Sequence, residues 1–186
     1  MIRINREFLD YVTRLKHSTL KNTILEKEAA IGQKIIEQQT RINTVYIIKS
    51  GLAKCYLTED TGKDFIQEFF GEGEVFGEIE IFTKDFSFCA IEAITPMSYF
   101  TIDNKDFLGL IKNDSCFNLL VLNLMASKIR YTALRHSYNQ SHPLESNLNR
   151  LIGQFPELQK KIPKNDIANY LGISIRSLNR VLKNLE

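Results

Sequence analysis

Residues 164–183 read KNDIANYLGISIRSLNRVLK, and the order of residue types in this stretch decides the fold of the C-terminal end. Two short helices that cross closely need an apolar residue beside a small one, and Ile167-Ala168 supplies that pair. Leu171 adds a core position before the turn. Gly172 tolerates the positive φ of a tight turn. Ile173 follows as an apolar anchor, and Ser174 can cap the next helix by accepting a free backbone N–H. Leu178 and Val181 then recur at helical spacing. Every slot of a helix-turn-helix is filled within about twenty residues. The positions left facing outward are Ile175, Arg176, Ser177, Asn179, Arg180 and Lys183. They make a mostly polar, cationic edge of the size that enters a DNA major groove. Arg176 and Arg180 suit forked bonds to guanine edges or phosphate, and Asn179 suits adenine. Ser177, Lys183 and Lys164 suit phosphate contacts, which position without specifying sequence, and the cap residue Ser174 stands with them among the DNA-binding candidates.

Just upstream, Ser137–Ser146 is polar and carries Pro143, so it reads as a linker. It is followed by Leu148–Phe155, Pro156, Leu158–Ile162 and Pro163. Before the linker, helical spacing runs from about Ser115 to Tyr138, with Asp114 or Ser115 as the cap. One stripe reads Phe117, Leu120, Leu124, Ser127, Tyr131, Leu134, Tyr138, in the alternating steps of three and four that mark a coiled-coil seam. A second reads Leu119, Leu122, Ala126, Ile129, Ala133. A helix with two apolar faces must cover both. One can pack on its own subunit. The other needs a partner, most simply a two-fold copy of itself. Phe117, Leu120, Leu124, Tyr131 and Leu134 are the residues expected at that seam, although the sequence does not choose between the stripes.

Further upstream the period changes. Short β-rich runs occur at Lys34–Glu37, Thr44–Ile48, Leu52–Leu57, Phe65–Phe70, Cys89–Ile94 and Met97–Ile102. Turn signals separate them: Ser50-Gly51, Glu59-Asp60-Thr61-Gly62, the group Gly71, Gly73 and Gly77, and Thr95-Pro96. Such punctuation predicts an antiparallel barrel or sandwich. Ile4, Phe8, Tyr11, Val12 and Leu15 predict a short amphipathic helix in front of it.

The 186 residues are 44% hydrophobic and 25% charged, an ordinary globular composition with a net charge of +2. Its distribution says more. From Gly51 to Asp106 only Lys54, Lys63, Lys84 and Lys105 oppose a long run of carboxylates. From Lys160 onward the balance is basic, as in a chain whose last segment meets an anion. Cys55, Cys89 and Cys116 are too scattered for a disulfide framework or a zinc site, so no metal is expected. The charged N-terminus is not a signal peptide, and no apolar run is long enough to span a membrane. The region 25–102 contains no histidine, and no nucleophile–base pair is evident, so enzyme activity is not expected. The competing reading is a ligand-binding module of cyclic-nucleotide type without DNA-binding activity.

Three stretches together resemble the Crp–Fnr superfamily of bacterial regulators, in its compact Bacteroidetes-like form. They are IIEQQTRINTVYIIKSGLAKCYL (Ile35–Leu57), FFGEGEVFGEIEIF (Phe69–Phe82) and the helix-turn-helix. The resemblance implies a cytoplasmic homodimer on a palindromic site in double-stranded DNA, with RNA polymerase as a further partner. It also implies an effector in the β-roll, with Gly77, Glu78, Phe88, Cys89 and Ser127 as the pocket candidates. The family's cyclic-nucleotide binders pair Gly-Glu with a downstream Arg-Ser or Arg-Thr. Gly77-Glu78 matches the first pair, but Phe88-Cys89 stands where the second belongs, and no arginine occurs between Arg41 and Arg130. A cyclic phosphate would lack its forked, charge-assisted contact, so no cyclic AMP and no other cofactor is expected. The family's β-wing after the recognition helix is not expected, because the sequence ends at Glu186.

The resulting expectation is an α+β chain: an antiparallel β-roll or jelly-roll sensor domain, a long dimerisation helix and a C-terminal helix-turn-helix. Residues 1–24 carry the N-terminal helix, 25–103 the β-roll, and 104–138 a short helix and the dimerisation helix. Residues 139–147 form the hinge and 148–186 the DNA-binding domain.

Overall fold

The computed structural model describes residues 2–18, 20, 23–154 and 158–183. The expectations placed on Phe155, Pro156 and the end at Glu186 lie outside them. Strand β1 (Ile2–Arg3) leads into α1 (Arg6–His17), which starts where Asn5 Oδ1 accepts the Phe8 N–H at 3.2 Å. Six strands follow: β2 (Leu25–Ala29), β3 (Lys34–Ile36), β4 (Thr44–Ser50), β5 (Ala53–Thr58), β6 (Asp64–Phe70) and β7 (Val75–Phe76). The short helix α2 (Glu78–Thr83) separates them from β8 (Ala90–Ala93) and β9 (Met97–Asp103). The strands form two sheets, in the orders β1-β6-β5-β8-β3 and β2-β9-β4-β7. Only β1–β6 is parallel among these pairings.

The alternation of side chains along each strand turns one face of each sheet inward. Ile48, Ala53, Phe70, Phe76, Ile91 and Tyr99 meet between the sheets as one apolar cluster. A second cluster joins Phe8 and Val12 of α1 to Val45 and Phe100 of the sheet and to Phe117, Val121 and Leu124. This is the α+β architecture with antiparallel sheets expected from the turn spacing. Two elements differ from the sequence reading. The turn expected at the Gly71, Gly73 and Gly77 group leads into the short helix α2, which the sequence reading did not include, and Gly77 takes φ +86° to turn the chain there. A Cβ at Gly77 would lie 2.6 Å from the Thr44 carbonyl oxygen, so both the conformation and the space require glycine. The other element is β2, whose first four residues are exposed. Its backbone pairing with β9, not an apolar pattern, holds it.

Two helices follow: α3 (Asn104–Asn113), capped by Asp103, and α4 (Ser115–Ser141). Of the two candidate caps for α4 it is Asp114 that serves, accepting the Cys116 and Phe117 N–H groups at 3.0 Å each. The expected hinge is shorter than 139–147. Helix α4 runs on to Ser141 and α5 (Leu144–Gln154) begins after only His142 and Pro143. Then come α6 (Leu158–Lys161), α7 (Lys164–Leu171) and α8 (Ile175–Lys183). Their core is Leu148, Leu151, Ile162, Ile167, Leu178 and Val181, and it is continuous with Tyr56, Ile66 and Phe69 of the barrel. No helix among the described residues is long and apolar enough to cross a membrane.

Candidate nucleic-acid interface and effector pocket

The α7–α8 turn forms as its residue types dictate. Gly172 sits at φ +69°, and the Ile173 N–H reaches back to the Ala168 carbonyl at 3.0 Å. Ser174 Oγ accepts the Ser177 N–H at 3.1 Å, closing the first turn of α8. Leu178, Val181 and Leu182 are buried, so the opposite edge of α8 must face solvent. Arg176, Ser177, Asn179, Arg180 and Lys183 line one continuous shallow surface there. Ile175, 46% exposed, lies beside them, and Ser174 and Lys164 are also exposed but outside that surface. The Ser174 and Ser177 hydroxyls lie 3.0 Å apart.

The electrostatics leave this edge cationic. The one carboxylate of α7, Asp166, points inward and pairs with Lys54 of β5 at 3.3 Å. Lys54 also pairs with Glu92 of β8 at 3.2 Å. Burial raises the Asp166 pKa, and Lys54 opposes that rise. Among the described residues no carboxylate pairs with Arg176, Arg180, Lys183 or Lys164.

The helix-turn-helix is docked on the barrel through Tyr170. Its ring lies 5.2 Å from Phe69 and under the Arg135 guanidinium. Arg135 donates to the carbonyls of Ile66, Gln67 and Tyr170. Glu68 on β6 is buried at this junction, and burial pushes its carboxyl up to about 7 against the pull of Arg135 and Arg3.

The second site is a cavity of about 200 Å³ between the β-roll and α4. Four of the five pocket candidates, Gly77, Glu78, Phe88 and Cys89, line it. Ser127 does not. It lies one residue before Lys128, about 100° further round the helix, and lines a different cleft of about 430 Å³ with Arg3, Asn5, Glu74 and Tyr131. The residue that enters the pocket from α4 is Lys128. Its ammonium donates to the Val75 carbonyl at 2.6 Å and to Glu78 Oε1 at 2.5 Å, and it lies 3.4 Å from Glu74. Arg3 closes the chain of charges by pairing with Glu74 at 3.2 Å. Burial alone would lower the Lys128 pKa, but the Glu78 and Glu74 carboxylates outweigh it and raise it.

The sequence reading missed Lys128, and a signal for it existed. Phe117, Val121, Leu124, Lys128, Tyr131 and Arg135 are spaced in steps of four and three, so they share one helix face. That face packs on the subunit's own barrel. Phe117 and Leu124 are therefore 0% and 2% exposed, which corrects their assignment to the dimer seam. Leu120 and Tyr131 are half-buried beside them, and Leu134 is exposed. The face left open is the other stripe, with Leu119 at 59%, Leu122 at 60% and Ile129 at 69% exposed, and Ala126 and Ala133 exposed between them.

Comparison with known proteins places this architecture. The family model described as a cyclic nucleotide-binding domain matches residues 26–114. Regulatory protein YeiL of Escherichia coli O157:H7 is 27% identical over 150 residues, covering 80% of this chain and 68% of that protein. The cAMP-activated global transcriptional regulator CRP of Salmonella typhimurium is 24% identical over 163 residues, covering 82% and 78%. Among solved structures, a CooA mutant from Carboxydothermus hydrogenoformans shares the fold with a TM-score of 0.78 at 15% identity, covering 99% of this chain and 87% of that one.

A cyclic nucleotide, the ligand such a domain implies, does not fit the residues present. The charged groups lining the pocket are Glu78, Glu80 and Lys128. The only cation among them already donates to the Val75 carbonyl and to Glu78 and lies 3.4 Å from Glu74, so a phosphate would compete with two carboxylates for it.

Proposed function

We propose that this chain, a DNA-binding transcription regulator of the Crp–Fnr type, works as a two-fold symmetric pair of subunits on a palindromic site and answers to an effector held in its β-roll. The observation that carries the reading is the outer edge of α8. Arg176, Asn179, Arg180 and Lys183 stand together on it, and the nearby Asp166 is turned away into the barrel. Cations gathered on one helix edge lower the free energy of approach to the phosphate backbone, and their forked donors can read guanine and adenine edges.

Support for the pair of subunits comes from α4. The open stripe Leu119, Leu122, Ala126, Ile129, Ala133 has coiled-coil spacing and no cover among the described residues of its own subunit. Packed against its two-fold copy, it would present two α8 edges one helical turn of DNA apart. Support for the effector comes from the cavity itself, which joins the β-roll to the same helix through Lys128. A ligand that shifts Lys128 acts directly on the element that sets the spacing of the two recognition helices. Such a regulator works beside the chromosome, in the cytoplasm, where RNA polymerase is the partner it meets at a promoter.

The test is to incubate the full chain with sheared genomic DNA of its source and sequence what it retains. The expected result is one enriched motif with two-fold symmetry and half-sites about 10 base pairs apart, centre to centre. Retention without any shared motif would count against sequence-specific regulation.

A further inference from the structure

We propose that the β-roll pocket takes a small uncharged molecule of one or two fused rings that donates a hydrogen bond to Glu78, and not a nucleotide. This rests on the effector reading above and names the class of ligand for that site. Size is the first argument. The cavity measures about 200 Å³. An apolar hole of about 150 Å³ holds a benzene ring, whereas most ligand pockets for larger molecules run to about 300–1,000 Å³. A space of about 200 Å³ is nearer to that of a ring system than to that of a purine, a sugar and a phosphate together.

The lining is the second argument. Ile36, Phe70, Phe76, Phe88 and Ile91 give apolar and aromatic walls. The thiols of Cys55 and Cys89 complete one side. Cys55 pairs with Ile91 across the β5–β8 ladder, so Cys89, two residues earlier, lies diagonal to it on the same sheet face. Their contact and the burial raise the Cys55 pKa well above the ordinary thiol value, so the Cys55 thiol stays uncharged near neutral pH. Flat rings suit such a slot.

Charge is the third argument. Two carboxylates, Glu78 and Glu80, face a single cation, Lys128, at the pocket's edge. An anionic ligand would enter against that excess of negative charge. A ligand with a positive charge would have to give up its hydration for a site already holding one ammonium.

The fourth observation points to the ligand itself. Glu78 is 1% exposed, and only its Oε1 is held by Lys128. Its Oε2, buried in the same residue, has no hydrogen-bond donor from the protein. A buried carboxylate oxygen without a donor is costly. An N–H or O–H carried in by a ring would satisfy it, and the carboxylate is bonded in that event to both the ligand and Lys128. Binding would thereby be sensed by the long helix.

The test uses the full chain and calorimetric titration with four probes: indole, benzofuran, benzoate and cyclic AMP. Indole and benzofuran have nearly the same shape, but only indole carries an N–H. The expected result is one indole per subunit, benzofuran weaker by tenfold or more, and no detectable heat from benzoate or cyclic AMP at the same concentrations. Ile91→Phe, which fills the cavity, should abolish indole binding while leaving the circular dichroism spectrum unchanged. Should that variant fail to fold, nuclear Overhauser contacts between indole and the ring protons of Phe70 and Phe76 in the wild-type chain locate the ligand instead. Tighter binding of cyclic AMP than of indole, equal binding of indole and benzofuran, absence of indole binding, or indole bound without contacts to Phe70 and Phe76 would each overturn the inference. Retention of DNA measured in parallel without any probe separates the two readings. A chain that holds DNA but prefers cyclic AMP loses only the ligand class, and one that takes indole but ignores DNA loses only the regulator.

Discussion

Replacing Ile129 by Asp is the substitution that weighs most on the pairing of subunits. Ile129 is 69% exposed within one subunit, so the change should leave the subunit's own fold intact. Burying a large aliphatic side chain fully is worth about 1.5–3 kcal/mol, so the exposed part of Ile129 is worth roughly 1–2 kcal/mol on pairing. Two-fold symmetry places the change in the seam twice, which makes the loss about 2–4 kcal/mol before any repulsion between the new carboxylates. The dissociation constant of the pair should rise roughly 30- to 1,000-fold. Sedimentation velocity over a wide range of concentrations measures this, with the melting temperature as the check on the subunit. Leu134→Asp, on the stripe that continues from the barrel-facing side, should shift the constant by less than about tenfold. A pair that survives Ile129→Asp unchanged while Leu134→Asp separates it would show that the seam has been placed on the wrong stripe.

Three further substitutions probe the rest of the structure. Glu68 ionises near 4.5 in an unfolded chain but is held up to about 7 by burial, so the folded state keeps its proton where the unfolded state has lost it. Stability should therefore fall as pH rises from about 4.5 to about 7, by on the order of 3 kcal/mol, and Glu68→Gln should flatten that fall in urea titrations run at several pH values. Lys54→Met leaves the buried Asp166 and the nearby Glu92 without their shared cation, which should cost roughly 3 kcal/mol in chemical denaturation and speed amide exchange in α7. Leu178→Ala removes a fully buried side chain from the joint core of barrel and helix-turn-helix, and a loss of about 2–5 kcal/mol in the same denaturation assay is expected.

The helix-turn-helix was the most legible part of the chain because its constraints are local. A small residue at Ala168, a positive φ at Gly172 and a cap at Ser174 are dictated within a few residues of one another, and the structure places all three as the spacing implied. Strands rich in β-branched and aromatic residues, such as β4 and β9, were equally plain. What stayed hidden depended on contacts distant in sequence. Strand β2 has exposed charged residues and owes its existence to β9, about seventy residues away. The choice between the two stripes of α4 could not be read from period alone, because the helix is apolar on both sides and only the barrel decides which is covered. The pocket was half legible. Gly77 and Glu78 lie in one stretch of sequence, whereas Lys128 reaches Glu78 from fifty positions further on. A lysine following Phe117, Val121 and Leu124 on one helix face was the available sign.

The cationic edge of α8 as a DNA-reading surface is tested most directly by fluorescence-anisotropy titration of a labelled fragment bearing the motif retained from the genome, repeated from about 50 to 200 mM salt. Wild-type affinity should fall steeply and log-linearly with salt, by about one unit of slope for each phosphate contact made. Arg176→Ala/Arg180→Ala should weaken binding by at least tenfold at every salt concentration, since each base-reading arginine is worth roughly 1–3 kcal/mol. A double variant that binds as tightly as the wild type, or a wild-type chain indifferent to the fragment at the lowest salt, would contradict the account.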